Sequence, residues 1–176
     1  MKKSVPHWEM TGFIVTSILG TLLHFLFDWT DGSVGAALVS AVNESIWEHM
    51  KLVFVPMVGF SLFQRRFFPE IRNFWWVKLA GILTALVLIP VLYYTYTGAL
   101  GAKVDWFNIA IFFIAAGAAF RLEAWLLQRE KAWGFPEWPA VALIGAIGAA
   151  FLLFTFASPK IPLFQNPLDG SFGFPN

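Results

Sequence analysis

Long apolar stretches alternate along the chain with short segments that are polar or turn-forming. A transmembrane helix needs about 20 mostly apolar residues to cross ~30 Å of hydrocarbon. Five windows meet this requirement, at residues 11–28, 36–63, 75–96, 106–127 and 138–157. The segments between them carry glycine, proline, asparagine or charge, as turns do. The pattern therefore predicts an all-α integral membrane bundle of five transmembrane helices, forming a single domain over residues 1–176.

The last segment, residues 158–176, follows the fifth predicted helix and differs from a flexible polar tail. It carries Pro159, Pro162 and Pro167 beside large apolar residues. Proline restricts the backbone, so a proline-rich segment has little conformational entropy left to lose when it docks. We therefore expect this tail to fold back over the mouth of the bundle.

Composition excludes several other classes of protein. Of the 176 residues, 58% are hydrophobic and 13% are charged, whereas about 25% are charged in soluble domains. The formal net charge is +1 and no basic patch is present, so a nucleic-acid partner is not expected. The chain has no cysteine, which excludes disulfides, thiolate nucleophiles and cysteine-ligated zinc.

Lysine and arginine are distributed unevenly between the two sides of the predicted bundle. Placing the N-terminus in the cytoplasm leaves two of the 12 Lys and Arg residues outside, Lys103 and Lys160. Lys51 lies within a span, and the other nine are cytoplasmic: Lys2, Lys3, Arg65, Arg66, Arg72, Lys78, Arg121, Arg129 and Lys131. Cytoplasmic flanks carry the excess of positive residues. The sequence therefore predicts a multi-pass protein of the cell inner membrane with a cytoplasmic N-terminus and an external C-terminus.

The second predicted span is unusual because it contains five strongly polar residues: Asn43, Glu44, Glu48, His49 and Lys51. Burying one charged side chain in a membrane costs at least ~2.5–3.5 kcal/mol on insertion scales, and such residues are usually functional. On a helix, with 100° between successive residues, both carboxylates and the lysine would share one face. The imidazole would lie on the adjoining face.

Polar residues of three other predicted helices fall at a similar depth. His24 and Asp28 lie one turn apart near the outer end of the first helix. Tyr94 lies at the outer end of the third helix and Asp105 at the outer start of the fourth. We expect these groups to converge with the polar part of the second span, where Asn43, Tyr94 and Asp105 are candidate cofactor-binding residues.

Small residues recur every four positions on the first helix, at Gly12, Thr16 and Gly20. Such a stripe allows the backbone of a neighbouring helix to approach closely. The second helix is the expected neighbour. We therefore predict that His24 or Asp28 lies next to the polar residues of the second span.

The balance of charge in this region favours a bound cation. Asp28, Glu44 and Glu48 contribute three negative charges against one positive charge on Lys51. A divalent cation would balance the difference, and histidine with carboxylate ligands suits a zinc-like metal. The spacing matches neither of the helical metal motifs His-Glu-x-x-His and Glu-x-x-His. The candidate metal ligands are His24, Asp28, Glu44, Glu48 and His49.

Three alternative functions remain open at this point. The first is hydrolysis or group transfer at the metal, on a lipid-like or small substrate, with Glu44, Glu48 and Lys51 as catalytic residues. The second is a proton-coupled or ion transporter that uses Glu44, Glu48 and His49 as a relay. The third is a structural or assembly subunit: either Glu48 pairs with Lys51 and the polar groups only hold the helices together, or the buried polar face recognises a helix of a partner. The expected partners are the lipid bilayer, a small-molecule or lipid ligand and, as an open alternative, a second copy of the chain.

Two charged residues near the inner end of the fourth predicted helix, Arg121 and Glu123, have a simpler interpretation. Long charged side chains at helix ends extend to the membrane surface. We therefore interpret this pair as interfacial, with local charge pairing.

Several distinctive motifs are spread along the chain. They comprise His24, Val42-Asn43-Glu44-Ser45-Ile46-Trp47-Glu48-His49-Met50-Lys51-Leu52, Tyr94-Thr95-Tyr96-Thr97-Gly98, and Pro162-Leu163-Phe164 followed by Asp169-Gly170. In these motifs the chain resembles a family of small bacterial integral membrane proteins of unknown function. The resemblance covers nearly the whole chain. It implies that the polar positions belong together, and it carries no activity.

Overall fold

The computed structural model describes residues 4–129 and 134–174. These residues contain no β-strand and form six α-helices: α1 (Val5–Trp29), α2 (Val34–Ala37), α3 (Ile46–Arg65), α4 (Phe74–Leu100), α5 (Asp105–Leu127) and α6 (Trp138–Phe156). All except α2 are long and apolar enough to cross a membrane. The predicted all-helical fold with five candidate membrane helices is confirmed. Three residues used to predict the orientation, Lys2, Lys3 and Lys131, lie outside the described residues.

The second predicted span differs from the structure. A helix was expected over residues 36–63, but α2 ends at Ala37 and α3 begins at Ile46. The predicted boundaries of the later helices agree with the structure within four residues, whereas α1 begins at Val5 rather than at residue 11. The prediction of a continuous helix was therefore wrong for the non-helical residues 38–45.

A serine cap explains why α3 begins where it does. The side-chain oxygen of Ser45 accepts a hydrogen bond from the Glu48 backbone N–H at 3.4 Å. This contact satisfies one of the N–H groups that the first turn of a helix leaves unpaired, and the helix dipole favours the carboxylate of Glu48 there. Glu44 therefore precedes the helix and does not share a helical face with Glu48.

Helix α3 packs against α1, α4 and α6, while α5 packs on α1 and α4. Val53 of α3 is fully buried in an apolar core with Ile82 of α4 and Ala116 of α5. Phe174 packs against the cluster around Phe27 at the end where α1 finishes and α3 begins. We call this the tail end of the bundle. The helix termini near residues 5, 74 and 127 cluster at the opposite end.

The small-residue stripe of α1 brings this helix close to α3 and α5. Gly12, Thr16 and Gly20 are all buried. A Cβ atom at Gly20 would lie 2.8 Å from the carbonyl oxygen of Leu52 and 2.5 Å from Cζ of Phe112. The expectation that the stripe faces the second membrane helix, α3, is confirmed.

A buried ion cluster joins four helices at the opposite end. Lys78 of α4 donates hydrogen bonds to both carboxylate oxygens of Glu9 on α1, at 3.0 and 3.1 Å. Lys78 also donates to Glu123 of α5, and Gln64 of α3 donates to Glu9 at 2.7 Å. Each of these four residues is at most 2% exposed. The interfacial interpretation of Glu123 was therefore wrong, because its partner is the lysine of a neighbouring helix.

We predict that Gly20→Ala destabilises the bundle, because the added methyl group would meet backbone as well as the Phe112 ring. Overpacking of this kind costs about 1–3 kcal/mol. Gly59→Ala on α3 is the matched control, since no atom lies within 4 Å of a Cβ placed there. Thermal unfolding in detergent should show a lower midpoint for the first variant alone. Equal midpoints for both variants would contradict the close packing.

Candidate functional site

Three of the predicted ligands meet at the tail end of the bundle. Oε1 of Glu44 lies 3.7 Å from Nε2 of His24 on α1, and Oε2 lies 3.4 Å from Nε2 of His49 on α3. One ligand atom from each residue lies within 4.8 Å of the other two. The predicted proximity of His24 to the polar residues of the second span is confirmed. We call these three residues the triad.

The triad is wider than the ligand spacing of a tetrahedral cation by about 1 Å or less. Zinc binds nitrogen and carboxylate oxygen at about 2.0–2.2 Å, so two ligand atoms of a tetrahedral ion stand about 3.3–3.6 Å apart. The two imidazole nitrogens lie 3.7 and 3.4 Å from different oxygens of Glu44. With one ligand atom from each residue, the spacing is within 4.8 Å, so the three side chains would have to move closer together around an ion. Two histidines and one glutamate are also a ligand set of catalytic zinc sites, in which the fourth position stays open.

The backbone orients one imidazole of the triad. Nδ1 of His49 lies 2.9 Å from the carbonyl oxygen of Ser45. Since a carbonyl only accepts, Nδ1 carries the proton and the Nε2 lone pair is left for a ligand. Metal-binding histidines commonly have such a second hydrogen bond. Nδ1 of His24 is buried without a partner among the described residues, and this ring packs edge-on against Phe25.

Two cavities adjoin the triad. The tail cavity has a volume of about 350 Å³ and lies between α3, α4, α5 and the C-terminal tail, with Lys103 in its lining. The side cavity has a volume of about 400 Å³ and lies between α1, α3 and α5. Both volumes are in the range of small-ligand pockets, about 300–1,000 Å³. Four residues line both cavities: Glu44, His49, Asn108 and Phe112.

Neighbours of the predicted cofactor-binding residues of α4 and α5 line these cavities, and the predicted residue Tyr94 does not. Tyr93 lines the tail cavity, whereas Tyr94, the predicted residue, is exposed and lines neither cavity. Side chains of successive residues on a helix point about 100° apart, so Tyr93 points toward the cavity and Tyr94 points away from it. Asn108 lies at both cavities and accepts a hydrogen bond from the Tyr96 hydroxyl at 2.5 Å. The side chain of the other predicted residue, Asp105, is not among the side chains that the structure describes.

The C-terminal tail covers the tail cavity, as the sequence predicted. Pro167 and Leu168 line this cavity, and Nζ of Lys103 donates to the Pro167 carbonyl oxygen at 3.3 Å. The tail is anchored by Phe164, whose ring lies 4.8 Å from that of Trp47 on α3. The cavity therefore depends on the tail for part of its wall.

A tight turn stabilises the tip of the tail. The backbone N–H of Asn166 donates to the Ser171 carbonyl oxygen at 2.8 Å, and the N–H of Gly170 donates to the Asn166 carbonyl oxygen at 2.9 Å. Gly170 has a φ of +76°, a conformation that favours glycine. Hydrogen bonds from Ser171 lower the pKa of the exposed Asp169 carboxyl. The turn holds the cavity-lining part of the tail in a defined position.

Asn43 holds the tail instead of lining a cavity. Its Nδ2 donates to the carbonyl oxygen of Gly173 at 2.9 Å, and its Oδ1 accepts the backbone N–H of Ser45 at 2.9 Å. The side-chain amide is thus engaged at both of its polar atoms. The structure gives Asn43 a positioning role in place of the predicted cofactor contact.

Glu48 and Lys51 form a separate buried network. Nζ of Lys51 lies 2.7 Å from Oε2 of Glu48, and it donates to the Ala37 carbonyl oxygen at 2.8 Å and to Oγ1 of Thr155 at 3.0 Å. Thr155 of α6 donates to Oε1 of Glu48 at 2.7 Å. The backbone N–H of Val42 donates to Oε2 of Glu48 at 3.3 Å. Both charged residues are at most 1% exposed.

The five predicted ligands therefore do not form one site. Glu48 and Lys51 line neither cavity, and their polar atoms are engaged with each other and with α2 and α6. Asp28 is exposed and is not in the group of potential ligands that contains the triad. Their positions do not support the predicted catalytic roles of Glu48 and Lys51, nor metal binding by Glu48 and Asp28.

We predict that Glu48→Gln lowers stability by about 3–5 kcal/mol, because it leaves the Lys51 ammonium buried without a counter-charge. The double variant Glu48→Gln/Lys51→Met should recover most of that loss, since removing a buried ion pair as a whole is often neutral. Denaturation in detergent measures both effects. A double variant as unstable as the single one would contradict this assignment of the pair.

Comparison with known proteins identifies a family but no activity. No curated protein and no solved structure matches the chain. A family whose description states no function matches residues 1–174. The chain therefore belongs to the family of unknown function DUF6512.

Proposed function

We propose that the triad binds one zinc-like divalent cation and that the protein uses it for hydrolysis or group transfer. The observation that supports this function best is the spacing of His24, Glu44 and His49, whose ligand atoms lie within 4.8 Å of one another. Glu44 and His49 lie five residues apart, on either side of the start of α3, and His24 comes from α1. A local helix pattern does not explain their convergence.

The chemistry of such a site follows from its ligands and walls. A cation with three protein ligands keeps a position for a water, whose proton it acidifies, or for an acyl or phosphoryl oxygen, which it polarises. In hydrolysis the water oxygen bonds to the acyl or phosphoryl centre, the bond to the leaving oxygen breaks, and that oxygen takes up a proton. Oδ1 of Asn108 already accepts a hydrogen bond from the Tyr96 hydroxyl. The Nδ2 amide group of Asn108 is therefore the one that can donate a hydrogen bond to a substrate.

The transporter alternative is less well supported, because the buried face of α3 is almost entirely apolar between the polar groups of the two ends. Between Lys51 and Gln64, helix α3 rises about 20 Å. Within this interval its buried side chains are apolar except Ser61, whose hydroxyl donates to the Met57 carbonyl oxygen of the same helix at 2.7 Å. A relay through α3 would have to cross this apolar interval.

A purely structural role explains the buried network of Glu48 and Lys51 better than it explains the triad. The Glu44 side chain is 42% exposed, and those of His24 and His49 are about 30% exposed. Ion pairs that are partly exposed usually add less than about 1 kcal/mol. The triad is thus accessible to a ligand and stabilises the fold only weakly.

We also propose that the chain is a multi-pass protein of the bacterial inner membrane, with the N-terminus in the cytoplasm and the tail end of the bundle at the outer face. The unequal distribution of lysine and arginine supports this orientation. The triad would then be reached from the outer leaflet and the aqueous space beside it.

The orientation predicts that reporter fusions at Gly134 and after Asn176 lie on opposite sides of the membrane. A fusion at Gly134, before α6, should report the cytoplasm, and one after Asn176 should report the outside. Alkaline phosphatase and green fluorescent protein fusions distinguish the two compartments. Two cytoplasmic reporters, or the reverse orientation, would contradict the proposal.

Metal content tests the proposed site directly. Protein purified without chelator and dialysed should hold about one zinc per chain, as one set of three ligands implies. His49→Ala and Glu44→Gln should each lose most of it, because losing one of three ligands greatly weakens binding. Elemental analysis by mass spectrometry gives the ratio of metal to protein.

Two variants serve as controls for the metal measurement. His7→Ala removes a histidine outside the triad, and Asp28→Asn removes the exposed carboxylate nearest to His24 in sequence; both should retain the metal. A parent protein without metal under these conditions would contradict the proposal. So would equal retention by triad variants and controls.

A further inference from the structure

We propose that the substrate of this site is an anionic phospholipid that enters sideways from the bilayer, between α1 and α5. This inference rests on the proposed function, because it places the lipid beside the triad. In the proposed binding mode, the acyl chain lies in the side cavity and the phosphate lies in the tail cavity near Lys103. The argument comes from where each cavity opens and from the charge of its lining.

The side cavity opens on the flank of the bundle. Its rim includes Phe25 of α1, which is 45% exposed, and Ile109 and Phe113 of α5, which are 60% and 39% exposed. Both helices are long and apolar enough to cross a membrane. The surface around this rim would therefore face hydrocarbon, and the molecules that can reach the opening from that side are lipids.

The lining of the side cavity is apolar in one part and polar in another. Leu52 and Phe112 form part of its apolar wall, and His24, Glu44 and Asn108 form its polar part. An amphiphile matches this arrangement, with its chain on the apolar wall and its ester or phosphate next to the triad. A fully polar substrate would leave the apolar wall without a partner.

The tail cavity supplies a positive charge on the other side of the triad. Lys103 lines this cavity, and its ammonium is held near the mouth by the Pro167 carbonyl oxygen. With a divalent cation on the triad, the single negative charge of Glu44 leaves an excess of one positive charge, to which Lys103 adds another. The two cavities, which share four lining residues, therefore favour a headgroup with negative charge.

Photo-crosslinking in lipid nanodiscs tests this inference. The full chain is reconstituted with phosphatidylglycerol carrying a diazirine on its acyl chain, and labelled peptides are identified by mass spectrometry. We expect labels concentrated on residues 20–25 and 109–113. Ile109→Trp should reduce them several-fold by filling the opening. Ile114→Trp is the matched control, because Ile114 is a similarly exposed residue of α5, at 56%, outside both cavities.

The same assay tests the headgroup. The chain should label several-fold more with phosphatidylglycerol than with phosphatidylcholine, and Lys103→Gln should remove this preference. Lys160→Gln is the control, because it removes an exposed lysine of the tail that lines neither cavity. Excess glycerol phosphate should not displace the lipid. Displacement would indicate a water-soluble ligand and would overturn the inference.

Zinc content, measured on the same samples, separates the two proposals. Zinc on the triad together with labels spread evenly over Ile109, Ile114 and the other exposed positions would indicate ordinary boundary lipid. That result would overturn the lipid inference and leave the metal site standing. Concentrated labels on a protein without zinc would support the lipid site and overturn the metal-based function.

Discussion

The buried ion pair of Glu48 and Lys51 holds the segment on which the candidate site depends. Lys51 binds the carbonyl oxygen of Ala37, where α2 ends, and Glu48 accepts the backbone N–H of Val42. These bonds hold residues 38–45 against the start of α3 without helical structure. Glu44 is thereby placed ahead of the helix, between two imidazoles. A continuous helix would have put it one turn from Glu48, on the same face.

The polar residues at this end of the bundle thus fall into two groups, one that stabilises the fold and one that is accessible to ligands. Glu48, Lys51 and Thr155 are fully buried and bonded to one another, which makes loss of any single partner costly. The triad is partly exposed and adjoins two cavities. A site that binds and releases ligands needs such access, and it needs a rigid scaffold to keep its ligands in place. The buried network would supply that scaffold for the proposed site.

The sequence predicted the long helices well, because apolar windows of bilayer length have few alternatives. It failed for residues 38–45, since residues 38–42 (Leu-Val-Ser-Ala-Val) are small or apolar and continue the apolar pattern of the span, which is equally compatible with a helix or a buried loop. The pair Ser45-x-x-Glu48, which resembles a capping box, was the signal that could have located the helix start. The cluster of Glu9, Lys78 and Glu123 had no such signal, because each is a single charge near the end of a different helix.

X-ray absorption spectroscopy at the zinc edge is the most direct test of the central claim, because it reports the ligands of the metal. The account predicts two imidazole nitrogens and a carboxylate oxygen at about 2.0–2.2 Å, with a light atom in the fourth position. In the His49→Ala variant, any zinc that stays bound should have one imidazole ligand fewer. A spectrum of hydrated zinc without imidazole scattering, or one unchanged in that variant, would contradict the account.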